Sequence, residues 1–94
     1  MTLDTIVHAS SNQVSCDLGG EAAILNLHTG VYYSLDPVGA VVWKLIEQPR
    51  AVADVRDAML GRFEVEPQRC ELDLFQLFEK LAAGGLIETR DGHS

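Results

Sequence analysis

The stretch AAILNLHTGVYYSLDPVGAVVWKLI, residues 22–46, decides the fold, because two strands, a tight turn and a capped helix follow one another there with very few connecting residues. Residues 22–27 alternate with a period of two, which predicts a strand. Gly30 then suits the left-handed conformation of a short hairpin loop, which a β-carbon disfavours. A second strand, residues 31–35, carries two adjacent tyrosines and runs straight into the helix.

The second strand is the part of this stretch with the clearest potential for binding. If it has no partner on one side, its unpaired N–H and C=O groups can accept an extended peptide by strand addition. In alternation, Tyr33 lies with Val31 and Leu35 while Tyr32 lies with Ser34, so the two tyrosines cannot share one environment. The sequence leaves open which of them is exposed.

Three helices are predicted after this strand. Asp36 is placed to cap a helix that begins at Pro37 and runs to about residue 47. Apolar spacing predicts a second helix over residues 52–62 and a third over residues 67–83, which Gly84 and Gly85 end.

Two shorter β-prone runs, residues 5–9 and 14–18, precede the hairpin, and the sequence leaves open whether they form one bent strand or two. Residues 86–88 follow the third helix as a short extended segment. The predicted fold class is therefore α+β, with a small antiparallel β-sheet followed by three α-helices in a winged helix-turn-helix arrangement.

Composition limits the classes of function. Ninety-four residues suffice for one domain with a modest core, and a hydrophobic fraction of 47% indicates a folded chain. The net charge of −7 opposes binding to a phosphate backbone. Residues 1–6 lack the cationic start of a signal peptide, and no apolar run is long enough to cross a bilayer, so we expect a cytoplasmic protein without membrane association.

Residues that could carry chemistry are dispersed. Cys16 and Cys70 lie far apart without metal-ligand spacing, and His8, His28 and His93 fall in a strand, a turn and the tail. The serines have no recognisable base and orienting acid. We therefore expect no catalytic site, metal or cofactor.

The run LHTGVYYSLD, residues 27–36, followed by VGAVVW, residues 38–43, resembles the PqqD-like family of small peptide-binding proteins, also called RiPP recognition elements. The similarity continues through residues 52–63 and 81–87 and covers most of the chain. Members of this family hold the leader segment of a ribosomally made precursor peptide while other enzymes modify or cleave the core. The Tyr-Tyr strand most resembles the stand-alone leader-binding proteins of lasso-peptide pathways.

The third helix offers a second wall for such a site. Leu72 and Phe75 fall beside the main apolar stripe, which comprises Cys70, Leu74, Leu77, Phe78 and Leu81. They can simply widen the contact with the core. Alternatively, they form one wall of a groove whose other wall is the second strand, which the resemblance implies is the seat of the leader peptide. Asp73 could then meet a cationic leader side chain at the rim.

The resemblance thus implies that residues 1–94 form a single PqqD-like domain that recognises a leader segment without catalysis, binds it as an added β-strand and presents it to maturation enzymes. The partners expected in a lasso-type pathway are a leader peptidase and a cyclase or other modifying enzyme. The expected contact residues are Val31, Tyr32, Tyr33, Ser34, Leu35, Leu72, Asp73 and Phe75.

Three alternatives remain open. The protein could be a PqqD-type chaperone for a radical-SAM enzyme, or a structural subunit that docks on an enzyme without contacting peptide. It could also be a winged-helix transcriptional regulator. Acidic residues disfavour the regulator, because they are interspersed among the candidate phosphate contacts, Arg50, Arg56, Arg62 and Arg69.

Overall fold

The computed structural model describes residues 1–91. In chain order, its elements are β1 (Ile6–Ala9), β2 (Gln13–Asp17), β3 (Ala22–Asn26), β4 (Tyr32–Leu35), α1 (Pro37–Leu45), β5 (Arg50–Ala51), α2 (Val52–Leu60), α3 (Pro67–Ala83) and β6 (Ile87–Arg90). The α+β class and the three helices agree with the sequence prediction. Across the described residues, every helix is too short or too polar to span a lipid bilayer.

The strands form two antiparallel sheets, where the sequence predicted one small sheet ahead of the helices. One sheet has the order β2-β3-β4, and the other has the order β5-β1-β6. The two early β-prone runs are therefore separate strands in separate sheets. The prediction missed the second sheet because its partners are distant in sequence: Val7 pairs with both Arg50 and Thr89. Local patterning carries no signal for such pairing.

The helix boundaries follow from identifiable caps. The Asp36 carboxylate accepts a hydrogen bond from the Gly39 N–H at 2.7 Å, and Pro37 occupies the first turn of α1, as predicted. The first two helices are each about two residues shorter than expected, ending at Leu45 and Leu60. The predicted bounds of α3 are confirmed.

A Schellman motif ends α3. The Leu86 N–H donates to the Leu81 carbonyl at 2.9 Å, and the Gly85 N–H donates to the Ala82 carbonyl at 3.0 Å. Gly85 has φ of 70°, a left-handed conformation that glycine adopts without strain. The turn sends the chain directly into β6, which returns to pair with β1.

The core lies between the inner face of the β2-β3-β4 sheet and the helices. Ile24 of β3 and Leu35 of β4 are buried against a cluster that includes Val42, Trp43, Val55, Leu74, Phe78 and Leu81. Large apolar side chains at helical spacing on α1, α2 and α3 pack against this face of the sheet and bring β4 close to the helices.

Candidate functional site

A cavity of about 490 Å³ lies between β4, α1 and α3. Its side-chain surface is mainly apolar, with charged groups at a few points. The residues around it include Tyr33, Ser34 and Leu35 from β4, Val38 and Val42 from α1, Phe63 and Val65 from the loop after α2, and Cys70, Asp73, Leu74, Leu77 and Lys80 from α3. We refer to this space as the β4–α3 groove.

The strand wall of the groove is a sheet edge. Within residues 1–91, β4 pairs with β3 on one side and with no strand on the other. The Asn26 N–H donates to the Val31 carbonyl at 2.8 Å, which fixes the alternation of the ladder. Tyr33 and Leu35 therefore direct their backbone groups toward β3. By the same alternation, Tyr32 and Ser34 direct their backbone N–H and C=O groups to the open edge.

The structure decides the environments of the two tyrosines. Tyr33 pairs with Ile24, is half-buried against the core and borders the groove. Tyr32 pairs with Leu25 on the opposite face of the sheet, and 68% of its surface is exposed. Val31 precedes β4 and is also exposed.

The helix wall differs from the one expected from the sequence. Cys70, Asp73, Leu74 and Leu77 line the groove, at the i, i+3, i+4, i+7 spacing of a single helix face. Leu72 and Phe75 are not among the lining residues: Leu72 is 59% exposed and Phe75 packs against the core. The lining of this cavity therefore gives no support to the expectation that these two form the groove wall, and that expectation stays a prediction. Extending the stripe from Cys70 by helical spacing would have identified Leu74 and Leu77 instead.

Charged groups give the groove a polar rim. Asp73 lies 3.4 Å from Arg69, and both side chains are largely exposed, so the pair is readily rearranged by an incoming charge. Lys80 supplies a cation along the same helix. Burial, with a further contribution from Asp73, raises the pKa of the Cys70 thiol, so Cys70 behaves as a small neutral apolar group in the wall.

An ion pair fixes α3 against α2. The Arg56 guanidinium donates to Glu71 at 2.7 Å, and the same guanidinium contacts Asp57. Hydrogen bonds to Glu71 and Asp57 raise the pKa of Arg56 above its ordinary value. About three quarters of each side chain of the Arg56–Glu71 pair is buried, so solvent screens this ion pair less than it screens an exposed pair.

No group of three or more His, Cys, Asp or Glu side chains within residues 1–91 is arranged to hold a metal ion. Cys16 is exposed and Cys70 is buried, and both are free thiols. His93 lies outside the described residues. The absence of a metal or cofactor stays a prediction from the sequence.

An open strand edge beside an apolar, helix-walled groove defines a site for an extended peptide chain, since main-chain bonds and side-chain pockets are available together. The family model for coenzyme PQQ synthesis protein D (PqqD) matches residues 21–87. The chain therefore belongs to the PqqD family, and the resemblance noted in the sequence is confirmed.

Two solved structures are similar to this chain. TbiB1 in complex with the TbiA(beta) leader peptide is 32% identical with a TM-score of 0.81, over 86% of this chain and 94% of that chain. Lasso peptide synthetase B1 complexed with the leader peptide is 20% identical with a TM-score of 0.77, over 87% of this chain and 96% of that one, which shows a shared fold. None of the curated proteins matches the chain.

Proposed function

We propose that this protein recognises the leader segment of a ribosomally synthesised precursor peptide and holds it as an added strand along β4. The open edge of β4 carries this proposal: Tyr32 and Ser34 present unpaired backbone groups next to the β4–α3 groove. A peptide added there would extend the sheet β2-β3-β4 to a fourth strand and direct alternate side chains into the groove.

The relatives support a leader as the ligand. Both similar structures are complexes with leader peptides, and one of them is 32% identical over 86% of this chain. A non-catalytic role fits a groove whose surface is mainly apolar and whose charged groups are Asp36, Asp73 and Lys80. The processing enzymes of a lasso-type pathway, a leader peptidase and a cyclase, are the proposed partners, with a PqqD-type partnership with a radical-SAM enzyme as the alternative.

The proposed contacts divide between main chain and side chains. Backbone groups of residues 31–35 supply hydrogen bonds that tolerate many peptide sequences. The side chains of Tyr33 and Leu35 border the groove on its β4 side. Asp73 is the proposed partner of a cationic leader side chain. Leu74 and Leu77 supply the apolar wall, in addition to the residues proposed from the sequence. Leu72 and Phe75 stay candidate contacts without support from the groove geometry.

The arrangement of α1, α2 and α3 beside the β3–β4 hairpin is what we interpret as a winged helix-turn-helix, within one domain spanning residues 1–94. This interpretation keeps a DNA-binding regulator as the second candidate. The charge distribution opposes it, since Arg56 is engaged by Glu71 and Asp57 and Arg69 lies beside Asp73. A net charge of −7 adds long-range repulsion of phosphate.

The test is titration of ¹⁵N-labelled protein with the leader segment of the precursor peptide encoded beside its gene, here termed the cognate leader. Amide shifts concentrated on β4 and on the groove face of α3 are expected, with saturation at micromolar or lower concentration. Saturable shifts confined to α2, with β4 and α3 unchanged, would contradict strand addition. A complete lack of binding would contradict leader recognition itself.

A further inference from the structure

The side chain of Asn26 joins the β3–β4 hairpin to the C-terminal end of α3. Asn26 is the last residue of β3 and is only 4% exposed. Its Nδ2 donates to the carbonyl of Gly84, the residue that caps α3, at 2.7 Å across 58 positions of sequence. The hairpin that carries β4 is thereby joined to the C-terminal end of α3.

The same side chain also organises the turn that leads into β4. Its Oδ1 accepts from the His28 N–H at 2.8 Å and from the Thr29 N–H at 3.2 Å. The Asn26 backbone N–H donates to the Val31 carbonyl. An amide is needed for this combination, because a carboxylate can accept but not donate and a hydroxyl is too short to span both partners. One residue therefore fixes both the turn and its distance from α3.

The end of α3 is shaped around this contact. A β-carbon at Gly85 would lie 2.9 Å from the Asn26 Nδ2, closer than side chains normally approach. The main packing partners of α3 are α2 and β6, whereas those of β4 are β3 and α1. Both groove walls pack on the same apolar core, and the Asn26–Gly84 hydrogen bond adds a directional link between β3, the strand beside β4, and the C-cap of α3.

We infer that Asn26 is a positioning residue that sets the separation of β4 and α3, so that an added strand can bond to β4 and reach the pockets of α3 at once. This inference rests on the proposed function. Asn26 does not line the groove, and it would act on the peptide only through the relative placement of the two walls.

Asn26→Asp keeps the Oδ1 acceptor for the turn and replaces the donor to Gly84 by an oxygen that repels the Gly84 carbonyl, with a negative charge added at a buried site. Asn12→Asp controls for the substitution and its effect on net charge, at an exposed residue of the loop before β2, and a double-mutant cycle with Leu77→Ala controls for the burial of the charge at Asn26. Binding of the fluorescently labelled cognate leader is measured well below the unfolding temperature. We expect the dissociation constant to rise about tenfold for Asn26→Asp and less than about twofold for Asn12→Asp.

A double-mutant cycle with Leu77→Ala separates positioning from general destabilisation. If Asn26 holds α3 in reach of the peptide, removing Leu77 should weaken binding about tenfold in the wild type but less than about threefold in Asn26→Asp. A residue with a purely structural role would give the same Leu77 effect in both backgrounds. Additive effects would therefore overturn the inference.

A measurement on the wild type keeps the inference testable even if Asn26→Asp does not fold. Because thermodynamic coupling is reciprocal, leader binding must stabilise the Asn26–Gly84 hydrogen bond by the same free energy by which that bond favours leader binding. Exchange of the Asn26 side-chain amide protons should therefore slow when the leader saturates the protein, and unchanged exchange overturns the inference. If the wild type binds the leader and Asn26→Asp binds it with equal affinity, the positioning role of Asn26 is overturned while the proposed function stands. If the wild type does not bind the leader, both the proposed function and this inference are overturned.

Discussion

Leu72 and Leu77, five positions apart on α3, face directions that differ by about 140° around the helix axis. Leu77 borders the β4–α3 groove, whereas Leu72 is outside its lining and is largely exposed. The two leucines therefore share an element and a chemistry but differ in their relation to the proposed site. This difference provides a matched pair for testing the helix wall.

Leu77→Ala should weaken binding of the cognate leader by roughly 1–3 kcal/mol, as expected for an apolar anchor in a groove. Leu72→Ala should change it by less than about 0.5 kcal/mol, as expected for an exposed position. Fluorescence anisotropy titration measures both, with far-UV circular dichroism to verify folding. If Leu72→Ala weakens binding more than Leu77→Ala does, Leu72 and not Leu77 belongs to the wall that contacts the leader.

Ser34→Pro should abolish or strongly weaken leader binding, because it deletes a backbone N–H that faces the open edge of β4. Ser15→Pro is the control, since it makes the same change on β2, at the other edge of the same sheet. The Leu27 N–H donates to the Asn12 carbonyl, so by alternation the Ser15 N–H also faces outward. Ser15→Pro should bind like the wild type. Equal loss in both variants would indicate damage to the sheet rather than to the site.

Phe75→Ala should lower stability and leave affinity unchanged, because Phe75 packs against the core outside the groove. A partly buried phenylalanine should cost about 2 kcal/mol, less than the roughly 3–5 kcal/mol of a fully buried one. For a domain of this size, that loss lowers Tm by about 10 °C. Thermal unfolding and a leader titration at low temperature give the two values. A normal Tm with weakened binding would assign Phe75 to the peptide site.

Cys70 should react with iodoacetamide more slowly than Cys16, because burial and Asp73 raise the pKa of its thiol while Cys16 is exposed. A raised folded-state pKa favours the neutral thiol, so this contribution to stability is present below the ordinary thiol pKa and is lost as pH rises through the folded value.

Saturation with the leader should slow Cys70 labelling further, since Cys70 lines the groove. Mass spectrometry of each labelled peptide follows both sites, and Cys16 serves as the internal control. Unchanged Cys70 protection at saturation would place the leader elsewhere.

Duplex DNA should bind negligibly at physiological salt, because the net charge repels phosphate and arginines of the helices are engaged by acidic neighbours. Electrophoretic mobility shift with random and genomic upstream duplexes provides the measurement. A sequence-specific complex tighter than about micromolar would make the regulator the leading hypothesis.

The sequence by itself determined the three helices, the β3–β4 hairpin and the family, but not the short strand β5. Period-two alternation identified β3, and the Asp36 cap with Pro37 identified the start of α1. Gly84 and Gly85 predicted the end of α3. These features depend on residues close together in the chain, whose preferences are set by backbone conformation, capping and periodicity. The family resemblance was carried by the same local run around the two tyrosines.

Tertiary structure decided which surfaces meet. The apolar stripe of α3 is broad enough to serve both the core and a groove. Leu77 and Phe75 both pack against the core, and only docking against β4 and α1 placed Leu77, and not Phe75, in the groove lining. Likewise, only the register with β3 placed Tyr33 inward and Tyr32 outward. The bond from Asn26 to Gly84 has no local signature at all, because its partners are 58 residues apart. Long-range packing and pairing depend on the relative placement of whole elements, which the periodicity of any one element does not contain.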